Sequence, residues 1–421
     1  MISSKKQSFI QAYEDGKNFI PIYESWPADL ETPLTTWLKL SKDNTHGVFL
    51  ESVEGGENIG RWSIVAINPL WEAVCLGDET IRTFRNGAKD KRRGDVFDSL
   101  RYWTQEYKSH GLEEFPFIGQ LYGSWSYELI NFIEPSVPIH KIKNNEIPYG
   151  SWMFFDQIIV FDQMKRCLTA LVYADLKQFQ GLPIEDIYEK SIQKINLIKN
   201  LMKTPLQNVD ILNWQQKKDL DLEISSNWTQ NEFERVVVQA KEFIKKGDIF
   251  QIVISQKFKT EVESKPFDLY RSLRMINPSP YMAYFDFGSW FLIGSSPEVM
   301  VKAERKKNKQ IVASLRPIAG TRPRGRDLQE DSLLENDLLN DPKEVSEHVM
   351  LVDLGRNDLG RVCQIGSIKL TDLMTIEKYS HVMHIVSEVQ GILEDDKDVW
   401  DLLKASFPAG TVTGAPKIRA M

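Results

Sequence analysis

The segment ASLRPIAGTRPRGRD (313–327) places Arg316, Arg322, Arg324 and Arg326 close together in a chain whose formal charge is −7. A guanidinium is a planar fork of donors that fits carboxylates and phosphates. Gly320 lets a ligand approach backbone N–H groups, and Thr321 adds a hydroxyl. These residues suit a loop that holds an anion. They suit equally the neutralisation of the acidic stretch on their C-terminal side, with Asp327, Glu330, Asp331, Glu335 and Asp337.

Other stretches carry chemistry-bearing side chains. In KEVSEHVMLVDLGRNDLGR (343–361), Glu344 and Glu347 are three apart and share roughly one helical face, which Leu351 continues. His348 lies to the side of that face. A glutamate turned inward there would ligate a hard cation; turned outward it is a surface residue. Gly355 reads as the end of that helix and Arg356-Asn357-Asp358 as a turn. In EKYSHVMHIVSEV (377–389), His381 and His384 face opposite sides of a regular strand, so only one of them can line a given cavity. Each suits a structural or a catalytic role. In LIGSSPEVMV (292–301), proline fixes the backbone before Glu298, which either points into a cleft or ends a strand in solvent. Finally, Pro280, Tyr281 and Met282 of NPSPYMAYF, with Ser52 of LESVEGG, form either a small polar-rimmed pocket or plain core.

The elements that must position these residues emerge from pattern. A chain of 421 residues predicts two lobes. With 42% hydrophobic and 26% charged residues it has a full core. Its acidic balance argues against general nucleic-acid binding. Three scattered cysteines, Cys75, Cys167 and Cys363, fit neither a disulfide framework nor a zinc site and predict free thiols in a reducing compartment. No signal-like or membrane-length apolar run is present.

Thr32-Pro33 predicts a helix start, with the helix running to Leu40. Strands are predicted over 46–53, 60–68 and 250–258, with hairpins turning near Gly77-Asp78, Asn86-Gly87 and 163–165. Helices are predicted over 185–203, after the capping box Thr229/Glu232, and over 266–275, 327–340, 342–355 and 397–405. YMAYFDF, WFLIG, EVMVKAE and QIVASLR read as one meander. The pattern gives an α+β fold with antiparallel sheets and peripheral helices. Residues 1–203 form a first lobe, 204–226 a linker and 227–421 a second lobe. APKIRAM reads as the opening turns of a helix. No G-x-G-x-x-G or Walker-type motif appears.

Taken together and in this order, GDIFQIVISQ, IGSSPE, RPIAGTRPRG, EHVMLVDLGRNDLGRV, YSHVMHIVS and FPAGTVTGAPKIRAM resemble chorismate-utilising enzymes, and among them the anthranilate synthase large-subunit family. ESVEGGENIGRWSIVAINP and NPSPYM resemble that family's tryptophan feedback site. The resemblance implies a two-lobed α+β fold, a reaction of chorismate and ammonia to anthranilate and pyruvate, Mg2+, a glutaminase partner supplying ammonia, and a cytoplasmic setting. It assigns Glu347 to the metal and Gly320 and Thr321 to chorismate. His384 matches the histidine of the aromatising pyruvate elimination, Glu298 the acid for the departing hydroxyl, and Thr411 an active-site threonine. Ser52, Pro280, Tyr281 and Met282 match the inhibitor site. Ala319 stands where the aminodeoxychorismate synthase branch carries a nucleophilic lysine, which leaves that branch as the alternative. Gln251 stands where water-using relatives carry a lysine. The family pattern continues past Met421 with a second metal glutamate and further chorismate contacts. The expectation is therefore weak Mg2+ and chorismate binding by these 421 residues, with a non-catalytic tryptophan-binding chain as the competing reading.

Overall fold

The computed structural model describes residues 2–42, 46–53, 60–109, 111–112, 114–115, 118–138, 147–206, 209, 212, 222–306, 308–379 and 381–421, the first three without side chains. The chain runs α1 (Ile2–Glu14), β1 (Phe19–Pro27), α2 (Pro33–Leu40), β2 (His46–Glu51), β3 (Trp62–Ile67), β4 (Trp71–Leu76), β5 (Glu79–Phe84), β6 (Lys89–Arg93), α3 (Val96–Gln105), β7 (Leu121–Trp125), β8 (Gly150–Phe154), β9 (Gln157–Asp162), β10 (Cys167–Asp175) and α4 (Ile184–Met202). It continues with β11 (Ser225–Ser226), α5 (Gln230–Lys245), β12 (Gln251–Ile252), β13 (Phe258–Lys259), α6 (Pro266–Ile276), β14 (Tyr281–Phe287), β15 (Phe291–Ser296), β16 (Lys302–Arg305), β17 (Ile311–Leu315) and β18 (Ile318–Pro323). Last come α7 (Leu328–Asn340), α8 (Pro342–Gly360), β19 (Lys369–Lys378), β20 (Val382–Ile392), α9 (Val399–Ser406), β21 (Gly414–Ala415) and α10 (Lys417–Ala420). Among the described residues no helix is long and apolar enough to cross a membrane.

Two compact units result. The first comprises Met1–Phe132, His140–Ile211 and Pro266–Pro297. Among its described residues, seven strands pair antiparallel in the order β1-β10-β9-β3-β2-β14-β15, and five more in the order β6-β5-β4-β8-β7. Trp37 of α2 packs on Phe49 and Tyr284 of the larger sheet, and Tyr270 of α6 joins them. α2 starts as its sequence requires: the Thr32 side chain accepts from Thr35 N, and Pro33 opens the first turn.

One boundary differs from the sequence reading. Pattern alone puts residues 266–297 in the second lobe, with YMAYFDF and WFLIG in one meander with EVMVKAE and QIVASLR. Instead β14 pairs with β2, register Met282↔Glu51, and β15 extends the first unit's sheet. Burying Met282 and Tyr284 in that sheet's aromatic core makes the pairing favourable. The expected meander is thus split between two sheets. Most of the expected linker 204–226 lies outside the described residues.

The second unit comprises Ile133–Ile139, Leu212–Lys265 and Glu298–Met421. β20 is its central strand. One edge takes β17 and β18 end to end, and the other takes β19. α8 lays Val352 and Leu359 against Ala313, Leu315 and Val389 of this sheet. The expected strand 250–258 pairs only at its ends. Gln251–Ile252 meets Gly414–Ala415 while Phe258–Lys259 meets Ser225–Ser226, and two different partners require the chain to bend between them. The arginine-rich stretch, read as a loop, is largely strand β18.

α8 corrects a second expectation. Asp341 caps it, accepting from Lys343 N at 3.0 Å and Glu344 N at 3.4 Å, and Pro342 begins it. It does not stop at Gly355 but runs to Gly360, so Arg356, Asn357 and Asp358 are helical. Gly355 is not in a left-handed conformation. It is a close-packing residue, and a Cβ there would meet Leu315 Cδ1 at 3.5 Å, an ordinary contact. Gly355→Ala is therefore expected to stabilise the protein by about 0.5–1 kcal/mol, because alanine suits a helix interior better. A urea titration measures this, and a lower midpoint for the variant would contradict the packing described.

Candidate active site

The ladder between β18 and β20 carries one irregularity. Ala319 faces Ile385 and Thr321 faces His384, so Gly320 is an extra residue on one strand. Its φ of +76° is the left-handed region, and a Cβ there would come within 3.1 Å of Ile385 and Leu338 side-chain carbons. The bulge turns the Gly320 carbonyl towards His384. Nδ1 of the imidazole lies 3.1 Å from that oxygen and 3.0 Å from Thr321 Oγ1. A carbonyl oxygen only accepts, so a hydrogen bond to it requires the proton on Nδ1, which leaves Nε2 as the lone-pair nitrogen of the neutral ring. The ring of Tyr379 stands edge-on to the imidazole at 5.6 Å.

Glu298 and Thr411 form a second contact in the same unit. They share a small cavity of about 40 Å³ with Arg316, Gly355 and Asp358. Burial pushes the Glu298 carboxyl up to about 7, and a hydrogen bond from Thr411 opposes that rise. A carboxyl in this range is half protonated at neutral pH and can act as a general acid.

Glu347 forms the third. It stands on α8 beside a cleft of about 690 Å³ whose walls include Phe250, Met350, Leu370 and Met374. Gln251 Nε2 donates to Glu347 Oε1 at 2.9 Å. Glu344, one turn earlier, is half-buried with Lys343 Nζ at 3.6 Å. Among the described residues no three acidic, histidine or cysteine side chains converge as a cage for a metal. Mg2+ does not need one, because it keeps waters and takes one or two carboxylates plus substrate oxygens. Glu347, with its second oxygen outside the Gln251 bond, fits that limited role. Neither His384 nor Glu298 is among the residues lining the Glu347 cleft.

The arginines have other partners. Arg322 bonds Asp337 at 2.6 Å and Asp341 at 2.8 Å, Arg324 bonds Asp331 at 2.7 Å, Arg326 bonds Glu330 at 2.9 Å, and Arg316 bonds Glu377. Arg322, Arg324 and Arg326 each pair with the acidic stretch that follows them, whereas Arg316 pairs with β19. His348 is fully buried, with Nε2 2.7 Å from Ser387 Oγ, and burial pushes it down to about 4, so it is a neutral packing residue.

The remaining predicted residues meet in the first unit. Val53 N donates to Ser279 O at 3.2 Å, which sets Ser52 beside the start of β14. Pro280 and Met282 are buried and Tyr281 is exposed. The Ser52 hydroxyl is buried with no hydrogen-bond partner among the described residues. Its neighbour Glu51 accepts from Tyr270 OH at 2.6 Å and Arg274 Nε at 2.5 Å, an arrangement that holds this end of β2 rigidly.

Residues 48–421 match the chorismate binding enzyme family. The chain is 49% identical to the anthranilate synthase component 1 of Synechocystis sp., over 100% of this chain and 84% of that protein. The chain belongs to the chorismate binding enzyme family. It is also 40% identical to the anthranilate synthase component 1 of Acetivibrio thermocellus, over 96% of this chain and 80% of the other. The crystal structure of anthranilate synthase component I from Streptococcus pneumoniae superposes with a TM-score of 0.69 at 33% identity, covering 87% of this chain and 77% of that one. Within the family the chain is thus of the anthranilate synthase component I type.

Sequence reasoning missed one buried polar contact of the second unit, the pair of Lys417 and Asp358. Its signal was present. Asp358 lies eleven residues after Glu347, three helical turns, and falls on the same face once α8 is allowed to continue. The Glu298–Thr411 contact generates a direct expectation. Thr411→Val removes the opposing donor, so the Glu298 carboxyl should titrate higher than about 7. Carbon-13 NMR of the carboxyl, assigned with Glu298→Gln, measures it, and an unchanged midpoint would show that Thr411 does not donate to Glu298.

Proposed function

We propose that the chain converts chorismate and ammonia to anthranilate and pyruvate. The observation that carries this reading is the Gly320–Thr321–His384 bulge, which brings the Thr321 hydroxyl and an imidazole held at Nδ1 into one place. Gly320 and Thr321 hold the substrate. Glu298, protonated near neutral pH, gives its proton to the ring hydroxyl as that group leaves and ammonia bonds to the ring carbon beside the carboxylate. His384 Nε2 then takes the ring proton. The electrons of that C–H bond complete the aromatic ring while the enolpyruvyl C–O bond breaks, and the departing group becomes pyruvate on protonation. Ala319 has no amine to attack the ring, which supports the anthranilate branch over aminodeoxychorismate formation. Gln251 cannot activate water as a lysine would, which supports ammonia as the nucleophile.

Mg2+ held by Glu347 would offset repulsion between the dianionic substrate and the protein's own carboxylates. Relatives named component 1 support a glutaminase partner as the ammonia source. The buried Ser52 hydroxyl beside Pro280, Tyr281 and Met282 supports tryptophan as a feedback inhibitor. Free thiols at Cys75, Cys167 and Cys363 support a cytoplasmic setting.

Anthranilate fluorescence with chorismate, Mg2+ and ammonium salts tests the reading. His384→Ala is expected to lower kcat by about 10²–10⁴-fold, the usual size of a lost general base. Because the acid form of Glu298 acts, kcat/KM for chorismate at constant free ammonia should fall as pH rises through about 7. Aminodeoxychorismate as the sole product would overturn the assignment. Calorimetry with tryptophan tests the first unit, where Ser52→Ala should weaken binding about 2- to 12-fold, the equivalent of one hydrogen bond.

A further inference from the structure

Lys417 and Asp358 form an ion pair in the interior of the second unit. They are only 7% and 4% exposed, and Lys417 Nζ reaches Asp358 Oδ2 at 2.6 Å and the Ser406 carbonyl at 3.1 Å. Such a pair is a poor source of stability, since apolar residues of similar size often pack as well or better. What it does impose is direction. The ammonium must meet two fixed oxygens, one on α8 and one at the end of α9.

The neighbours of Lys417 in sequence are the residues that touch the site. Thr411 donates to Glu298. Thr413 folds its turn, with Oγ1 2.9 Å from the Ala409 carbonyl, and Val253 N donates to Thr413 O at 2.8 Å. Gly414 and Ala415 pair with Ile252 and Gln251, and Gln251 donates to Glu347. Glu347 and Asp358 lie on one face of α8, separated by roughly 16 Å of helix. The segment 410–417 therefore reaches α8 at two points three turns apart, through its strand partner Gln251 at Glu347 and directly through Lys417 at Asp358.

We infer that the Lys417–Asp358 pair is a positioning device for the active site, holding residues 410–417 so that Thr411 meets Glu298 and Gln251 meets Glu347. The inference rests on the proposed roles of Glu298 and Glu347. Lys417 and Asp358 touch no reacting atom in that mechanism and act through the others.

The test must separate position from simple stability. Removing either partner alone leaves a buried charge and invites unfolding. Asp358→Leu with Lys417→Met removes both charges and keeps a filled interior. Of the pair only Asp358 lines the Glu298 cavity, so losing its negative charge by itself would lower the Glu298 midpoint, and an upward shift reports the lost Thr411 donor. Three readouts apply to the full chain: cooperative thermal unfolding, the carboxyl titration of Glu298 by carbon-13 NMR, and ammonia-dependent anthranilate formation. The double variant should unfold cooperatively, shift the Glu298 midpoint above that of the parent, and lose at least tenfold in kcat. A folded double variant with the parent's Glu298 midpoint overturns the inference. Should the double variant not fold, Asp358→Glu keeps both charges and displaces the segment by one methylene. The same upward shift is then expected, and its absence overturns the inference. The NMR readout needs no turnover, so failure of the proposed reaction and failure of the positioning role give different results.

Discussion

A single left-handed residue in an antiparallel ladder governs the candidate site. Side chains of a regular strand alternate, and a regular β18 would carry Thr321 in a fixed phase with Ala319. Gly320 breaks that phase. Only glycine combines its φ of +76° with the 3.1 Å approach of Ile385 and Leu338. The phase shift brings both the Gly320 carbonyl and the Thr321 hydroxyl to one nitrogen of His384, and so fixes the tautomer of the ring. The chemistry available at Nε2 is a consequence of backbone geometry one strand away.

The second unit sorts its charges by partner. Arg322, Arg324 and Arg326 are absorbed by acidic residues of α7 and its ends, which orders the approach to α8: Arg322 ties β18 to Asp341, the very residue that caps α8. The two carboxylates with chemical roles in the proposed reaction meet neutral donors. Glu298 accepts from a hydroxyl and Glu347 from an amide. A neutral donor orients a carboxylate without removing its capacity to bind a proton or a cation, whereas an arginine in the same place would hold it ionised and occupied.

Much of this is legible in the sequence, for identifiable reasons. Helix starts are, because Thr32-Pro33, Thr229/Glu232 and Asp341-Pro342 satisfy backbone donors locally. Local hairpins are, because their turns are set by a few residues. Three features are not. Gly355 reads as a helix stop because a glycine mid-helix is disfavoured by propensity, yet burial against Leu315 outweighs that cost. The membership of β14 and β15 is invisible because strand pattern reports burial but not partner, and their partner β2 lies more than two hundred residues earlier. At Gly320 the residue type reveals only permissiveness. The phase shift of the bulge depends on the register with β20, which no local pattern encodes.

The pairing of every arginine in 316–326 bears on how a dianion could be held at all. With those four cations engaged, the region around Gly320 offers hydroxyl and backbone dipoles rather than free positive charge. Dipoles of this kind are effective when they are fixed in place, because no reorganisation is then needed as charge shifts during reaction. They do not cancel two full negative charges. In the proposed reaction that balance would fall to a divalent cation at Glu347, which would supply the positive charge that the paired arginines do not. The same reasoning explains why rigidity recurs around the site. An anion bound by neutral donors is lost when those donors drift, so the bulge, the capped α8 and the clasped 410–417 segment all act on the precision of position rather than on the strength of any one attraction.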